Sequence, residues 1–184
     1  SSSAASDVYK RQALADAPWP QIFDPFRNAV AGKKVAVIGH FPFAPKALNQ
    51  AADFYMLERS LNEGDYPDSA AEYILPECDY VFITGSAFVN KTAPRLLELS
   101  RESFNVVLGP STPLAPVLVE DYGVSQVTGM VPTSPLAMFE GLSGTDAGTT
   151  MFEWGTEWNY PPKAAPPKSP RRPLHRFLLA RRWF

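Results

Sequence analysis

The stretch Lys33–Pro45, KKVAVIGHFPFAP, decides the fold class of this chain. Its apolar run Val35–Ile38 is rich in β-branched residues, which are typical of buried strands, and it ends abruptly at Gly39. A histidine follows at once. A polar side chain directly after a buried parallel strand lies at the edge of an α/β sheet where ligands usually bind. The stretch therefore predicts both a parallel sheet and the place of a site.

Two later segments repeat this pattern, YVFITGS at 80–86 and VVLGPS at 106–111. Segments of helix length separate the apolar runs, which is typical of βαβ units and a parallel sheet. The predicted strands are Lys34–Ile38, Asp53–Leu57, Asp79–Ile83, Asn105–Leu108 and Ser125–Thr128. We therefore predict an α/β fold, a three-layer Rossmann-like sandwich with a mostly parallel five-stranded sheet.

The segments between these strands carry helix start signals. Ser69–Glu72 has the pattern of a capping box, so we expect Asp68 and Glu72 to be capping groups of that helix. The predicted starts of the later helices are Asn90 or Thr92, Thr112–Pro113 and Ser134–Pro135.

Composition changes along the chain and suggests three parts. Residues 1–27 are predicted to be a disordered or non-native leader, residues 28–152 the Rossmann-like domain, and residues 153–184 a proline-rich basic tail, so both termini are expected to be disordered. The end of the tail, RRPLHRFLLARRWF, is basic and amphipathic. It is interpreted either as a contact for an acidic surface, anionic lipid or RNA, or as a tail without function.

The charge balance and the cysteine count exclude several function classes. Residues 153–184 have seven basic and two acidic residues, whereas the rest of the 184-residue chain has 10 basic and 17 acidic residues. An acidic body argues against a nucleic-acid-binding face on the fold. One cysteine, Cys78, allows no intrachain disulfide and no CxxC motif. Without a secretory signal or an apolar run of spanning length, we expect a cytoplasmic protein with no membrane span.

The loops after the parallel strands are expected to meet at one edge of the sheet. Glycines there let a ligand approach the backbone, and hydroxyls, amides and helix N-termini supply donors to an anionic group. The same glycines could instead only make tight turns. The predicted ligand-binding residues are Gly39, His40, Phe41, Glu58, Thr84, Gly85, Ser86, Asn90, Thr92, Gly109, Pro110 and Ser111.

His40 is the only histidine of the predicted domain. Imidazole titrates near neutral pH, so His40 is a candidate general acid or base or a metal ligand; the alternative is a loop histidine bonded to a nearby carbonyl. Any metal site, with one Cys and one His in the domain, would draw on His40 and carboxylates such as Glu58 or Asp65. Glu58 occupies the place of a ribose-binding acid, but GHFPFAP is not GxGxxG, so NAD in its usual pose is not expected.

Taken together, GKKVAVIGHFPF, GDYPDSAAEYILPECD, ITGSAFVNKTAPRLLELS and GPSTPLAPVL resemble the putative heavy-metal chelation domain family, over about residues 28–148. The resemblance implies a prokaryotic protein with a Rossmann-like sheet, a role in metal chelation and a link to anaerobic cobalamin metabolism. It also implies an enolase-N-terminal-like partner domain, which we expect to be missing from this chain. The positions that match the family are Gly39, His40, Phe41, Pro42, Glu58, Asp65, Asp68, Glu72, Gly85, Asn90, Thr92, Gly109, Pro110 and Ser111.

Two functions from different classes are compatible with this sequence, and so is a purely structural fragment whose activity belongs to the missing domain. The first is a domain that binds a small anionic ligand or a metal chelate of corrinoid type at the carboxyl edge of the sheet, with a divalent metal ion as its candidate cofactor. The second is an enzyme, a transferase or lyase, that uses His40 as acid or base on an anionic substrate. Either function is compatible with a homo-oligomer.

Overall fold

The computed structural model describes residues 22–144 and 153–161, which form one seven-stranded sheet with short helices on both faces. The strands are β1 Lys34–Ile38, β2 Asp53–Glu58, β3 Tyr66–Pro67, β4 Tyr80–Thr84, β5 Phe104–Leu108, β6 Gln126–Pro132 and β7 Gly155–Tyr160. The α-helices are α1 Ala44–Ala47, α2 Ala71–Ile74, α3 Ser86–Val89, α4 Ala93–Leu99, α5 Val117–Glu120 and α6 Pro135–Leu142. Short 3-10 turns lie at Asp24–Phe26, Asp68–Ala70 and Leu75–Glu77.

The strand order is β3-β2-β1-β4-β5-β6-β7, and only β7 is antiparallel to its neighbour. The prediction of an α/β fold with a mostly parallel sheet is therefore confirmed. The order reverses between β1 and β4. In open parallel sheets such a reversal leaves a crevice outside the carboxyl ends of the two strands.

The prediction of five strands is wrong, because the sheet has two more. β3 has only two residues, one of them Pro67, so it carries neither alternation nor a full set of donors. β7 lies within residues 153–184, the predicted tail, and it pairs with Val127–Pro132. The sheet thus extends past the predicted domain boundary at residue 152.

The hydrophobic core has one layer on each face of the sheet. On one face, β1, β4 and β5 contribute Val35, Val37, Phe82 and Val106, which pack under a cluster of phenylalanines. The same core layer includes the buried Ile22, Phe23 and Phe26, so the start of the predicted domain at residue 28 is too late. On the other face, α2, α3 and α4 and the 3-10 turn after α2 pack on the sheet through Ala71, Leu75, Ala87, Ala93 and Leu96. The rest of the predicted leader and the tail after Pro161 lie outside the described residues.

Two of the predicted helix starts are wrong. The capping box at Ser69–Glu72 is not formed, because a 3-10 turn occupies Asp68–Ala70 and α2 begins after Ala70 without a side-chain cap. Thr112–Pro113 does not begin a helix either, since α5 starts after Pro116. Thr92 and Ser134 do stand at the N-cap positions of α4 and α6, each followed within two residues by a proline.

Candidate ligand-binding cleft

A cleft of about 180 Å³ lies at the carboxyl ends of β1, β2 and β4 and continues between α2 and α4. Its apolar wall comes from Ile38 and Leu57 at the strand ends and from Ala71, Ala87, Leu96 and Leu99 on the helices. Its polar wall consists of Glu58, Arg59, Asp68, Ser69, Glu72, Thr84, Ser86, Asn90, Thr92 and Arg95. The cleft thus occupies the crevice beside the strand-order reversal, on the face that α2, α3 and α4 cover.

Only part of the predicted ligand-binding set lines this cleft. The structure brings together Gly39, Glu58, Thr84, Ser86, Asn90 and Thr92. The other predicted residues, His40, Phe41, Gly85, Gly109, Pro110 and Ser111, belong to the same sheet edge but do not line it. Phe41 is a core residue, 8% exposed, whose ring packs edge-on against Phe23 and Phe43.

Two pairs of polar side chains in the cleft are fixed by hydrogen bonds to each other. The hydroxyls of Thr84 and Ser86 lie 2.9 Å apart. The Asn90 Oδ1 accepts bonds from the Thr92 backbone N–H at 3.2 Å and from the Thr92 hydroxyl at 2.6 Å. Because a backbone N–H can only donate, the Asn90 amide must present its oxygen to Thr92, which leaves its NH₂ group for other partners.

Glu58 at the end of β2 binds backbone rather than a cation. Its two carboxylate oxygens accept the N–H of His40 at 2.9 Å and the N–H of Arg59 at 2.6 Å. The side chain of the neighbouring Arg59 pairs with Asp68 and not with Glu58. Glu58 therefore fixes the loops after β1 and β2 relative to each other.

His40 and Asp65 are in direct contact, as a shared site would require. His40 Nδ1 lies 3.0 Å from Asp65 Oδ2 and 3.2 Å from Oδ1, and the Asp65 side chain is fully buried. Asp65 Oδ2 also accepts the backbone N–H and the amide NH₂ of Asn62, both at 3.0 Å. Burial raises the pKa of Asp65, but the Asn62 bonds and the interaction with His40 outweigh it, so the net pKa is below the usual value.

The glycine turns after β4 and β5 close against each other. A side chain at Gly85 would place its Cβ 2.3 Å from the backbone nitrogen of Thr112 and 2.5 Å from the Ser111 carbonyl carbon. Gly109 has a φ of +106°, and a Cβ there would be 3.9 Å from the Phe41 ring. These turns leave no open backbone at Gly85, so the geometry favours the tight-turn interpretation for that glycine.

Asp68 and Glu72, expected to be capping groups, hold the two arginines of the cleft instead. Arg59 Nε donates to Asp68 Oδ2 at 3.1 Å. Arg95 Nε donates to Glu72 Oε1 at 2.8 Å, Nη2 donates to Oε2, and Nη1 donates to Glu98 Oε2 at 2.7 Å. Neither arginine was among the predicted site residues. The one available signal was the position of Arg59 directly after the polar end of a strand.

A family model described as "Putative heavy-metal chelation" (DUF364) matches residues 21–159. The chain belongs to this family. A solved structure of a DUF364 protein of unknown function from Desulfitobacterium hafniense is 44% identical, with a TM-score of 0.68 over 73% of this chain and 55% of that chain. A DUF364 structure from Pyrococcus horikoshii is 22% identical, with a TM-score of 0.64 over 70% and 54%, and shares the fold.

An uncharacterized protein of Methanocaldococcus jannaschii is 29% identical over 101 residues, which are 52% of this chain and 39% of that protein. This chain thus spans about half the length of both solved DUF364 structures and a smaller share of the Methanocaldococcus jannaschii protein. Among residues 22–144 and 153–161, no helix has the length and apolar character needed to cross a membrane.

The donor set of the described residues does not fit a soft heavy-metal ion. Such ions prefer several thiolate or imidazole ligands, and the chain has one cysteine and two histidines. Cys78 lies before β4, at the sheet edge opposite the cleft, and burial raises the pKa of its thiol to about 12. Both Asp65 oxygens already face N–H groups. No group of three or more His, Cys, Asp or Glu side chains in the described part of the chain is placed to hold a metal.

Proposed function

We propose that this DUF364 domain binds a small anionic ligand in the cleft at the carboxyl ends of β1, β2 and β4. The observation that carries this proposal is a surplus of hydrogen-bond donors. Of the two Thr84 and Ser86 hydroxyl hydrogens, one is used between them and one has no partner among residues 22–144 and 153–161. The Asn90 NH₂ group adds two donors. A ligand that satisfies them must be rich in acceptors, as phosphates and carboxylates are.

The carboxylates of the cleft do not oppose an anion as bare charges. Glu58 is bonded to two backbone N–H groups, Asp68 to Arg59, and Glu72 to Arg95. Each of the three carboxylates thus already accepts hydrogen bonds from the protein, and two of them are paired with arginines, whereas the hydroxyl and amide donors are not fully used within the described residues.

The volume of the cleft limits the size of the ligand that it can hold. A volume of about 180 Å³ is below the range of roughly 300–1,000 Å³ that is usual for pockets of drug-sized ligands. A corrinoid ring greatly exceeds it. We therefore propose a compact anion, such as a phosphate, a small phosphate ester or a short polycarboxylate, rather than a whole metal chelate.

Titration of the chain with inorganic phosphate, malonate and citrate, followed by backbone amide NMR, tests the proposal. We expect saturable shifts at residues 84–92 with at least one of these anions. Ser86→Ala should weaken that binding by about fivefold, because it removes one donor worth roughly 1 kcal/mol. The matched control is Ser143→Ala, whose hydroxyl donates to the Phe139 carbonyl on α6 and does not line the cleft. Absence of saturable binding of every anion would refute the proposed function.

The contact between His40 and Asp65 favours acid–base catalysis as a second candidate function. A buried carboxylate bonded to Nδ1 is a common way to orient a catalytic imidazole. We propose His40→Ala as the discriminating variant, assayed for hydrolysis and transfer of phosphate esters such as p-nitrophenyl phosphate. Turnover that disappears in the variant while phosphate affinity persists would favour the enzyme; no turnover by the wild type would favour a binding domain.

A further inference from the structure

The two arginines of the cleft differ in how many donors they have left for a ligand. Arg59 makes one side-chain hydrogen bond within the described residues, from Nε to Asp68, and its two terminal nitrogens make none. Arg95 uses Nε, Nη1 and Nη2, all bonded to Glu72 and Glu98. An arginine carries five N–H donors in a planar fork, so Arg59 keeps the two-nitrogen end that matches a carboxylate or a phosphate.

The loop that carries Arg59 is held at both ends. At its start, Glu58 accepts the backbone N–H of Arg59 and that of His40. At its end, the buried Asp65 is bonded to His40 and Asn62. The hydrogen bond that Arg59 Nε donates to Asp68 Oδ2 then orients the guanidinium. Arg59 is thus presented in a defined orientation, which reduces the entropy lost when a ligand binds.

Arg95 has a different task. Its bidentate pair with Glu72 joins α4 to α2, and its bond to Glu98 lies within α4. A ligand that took donors from Arg95 would have to break these bonds. The contacts therefore describe a residue that holds the two helix walls of the cleft together.

We propose that Arg59 recognises the charge of the ligand, binding a phosphate or carboxylate end-on through Nη1 and Nη2, and that Arg95 is a structural residue of the same cleft. This inference rests on the proposed function and adds to it the residue that selects for an anion. Phosphate and carboxylate share the required pair of oxygens, so inorganic phosphate and malonate serve as separate probes.

The test measures the affinity of both probes for the full chain and for four variants by NMR titration, together with the melting temperature. Arg59→Gln should weaken binding of the better probe at least tenfold without lowering the melting temperature, because a charge-assisted pair of bonds is lost. Arg59→Lys should recover less than half of that loss on a logarithmic scale, since a point charge cannot form the fork. The matched control is Arg101→Gln, an exposed arginine beside Glu102 that does not line the cleft.

Arg95→Gln should lower the melting temperature while changing the affinity less than threefold. Equal affinity of Arg59→Gln and wild type would overturn the inference and leave the proposed function standing. A larger loss of affinity in Arg95→Gln than in Arg59→Gln would also overturn it. If wild type binds neither phosphate nor malonate, this inference fails, and if it binds citrate alone, the proposed function survives.

Discussion

Two regions of the same sheet edge are built from similar loops and differ in what they leave open. At β1, β2 and β4, the loops stand apart and form a cleft lined by hydroxyls, an amide, two arginines and three carboxylates. At β4 and β5, the loops are in backbone contact, because Gly85 fits directly against Thr112. A glycine after a parallel strand can therefore serve either the approach of a ligand or the approach of a neighbouring loop.

The difference depends on how the chain leaves each strand. After β4, the chain turns at once into α3, which brings Gly85 under the β5 loop, and Gly85 N–H donates to the Leu108 carbonyl at 2.8 Å. After β2, a loop of several residues precedes β3, and Glu58 and Asp65 tie it to the β1 loop. The first arrangement closes the sheet edge between β4 and β5, and the second keeps the cleft open at β1 and β2.

The largest expected effect comes from adding a side chain at Gly85, where the loops after β4 and β5 are in contact. Gly85 has φ −58°, a conformation that alanine also adopts, so Gly85→Ala costs free energy through steric overlap alone. We expect the free energy of unfolding to fall by about 3 kcal/mol, because the added Cβ meets backbone that cannot move without shifting two strands. Urea denaturation measures it. Gly144→Ala is the control, since its Cβ would be 3.4 Å from the nearest atom. A Gly85→Ala variant as stable as wild type would show that the loops are not in contact.

A smaller effect is expected at Asp65, which ties the loop after β2 to His40 beside the cleft. Asp65→Asn removes a buried carboxylate that three N–H donors share, and we expect a loss of about 2 kcal/mol in the free energy of unfolding. Asp24→Asn is the control, because its ion pair with Arg27 is exposed and should contribute less than about 0.5 kcal/mol. An unchanged stability of Asp65→Asn would show that Asp65 does not fix the loop between β2 and β3.

The same variant gives a pH test with a defined sign. The pKa of Asp65 is lowered on folding, so the unfolded chain binds the proton more tightly than the folded one. The resulting stability is fully present above the unfolded pKa of about 3.9 and is lost as the pH falls through the folded pKa. Below about pH 4, wild type should therefore lose stability more steeply than Asp65→Asn. Parallel acid-unfolding curves for the two proteins would contradict this.

The smallest expected effect is at Gly109, where the conformation and not the space is restrictive. Its φ of +106° is costly for alanine, while an added Cβ would be at an ordinary distance of 3.9 Å from Phe41. We expect Gly109→Ala to lose about 1–2 kcal/mol of unfolding free energy and to bind phosphate as well as wild type does. Weaker phosphate binding by a stable Gly109→Ala protein would place the closed region in the ligand site.

The sequence predicted the parts of this edge that depend on local patterns. The bounds of β1 are those predicted, and the polar ends of β1, β2 and β4 do converge. The capping box failed because Glu72 pairs with Arg95, a residue 23 positions further along that only the packing of α2 on α4 brings near. Arg59 was not predicted to be a site residue for the same reason, because the sequence alone does not show that its Nε is bonded to Asp68. β7 was missed because an edge strand with one partner needs little apolar patterning.

The reversed direction of β7 has a practical consequence. Its first residue, Gly155, pairs with Pro132 at the carboxyl edge, and its last, Tyr160, pairs with Val127 near the opposite edge. Six residues of strand span roughly 20 Å, so the backbone reaches Pro161 far from the cleft. A tether attached at Pro161 would therefore anchor the protein to a sensor surface with its ligand entrance directed toward the solution.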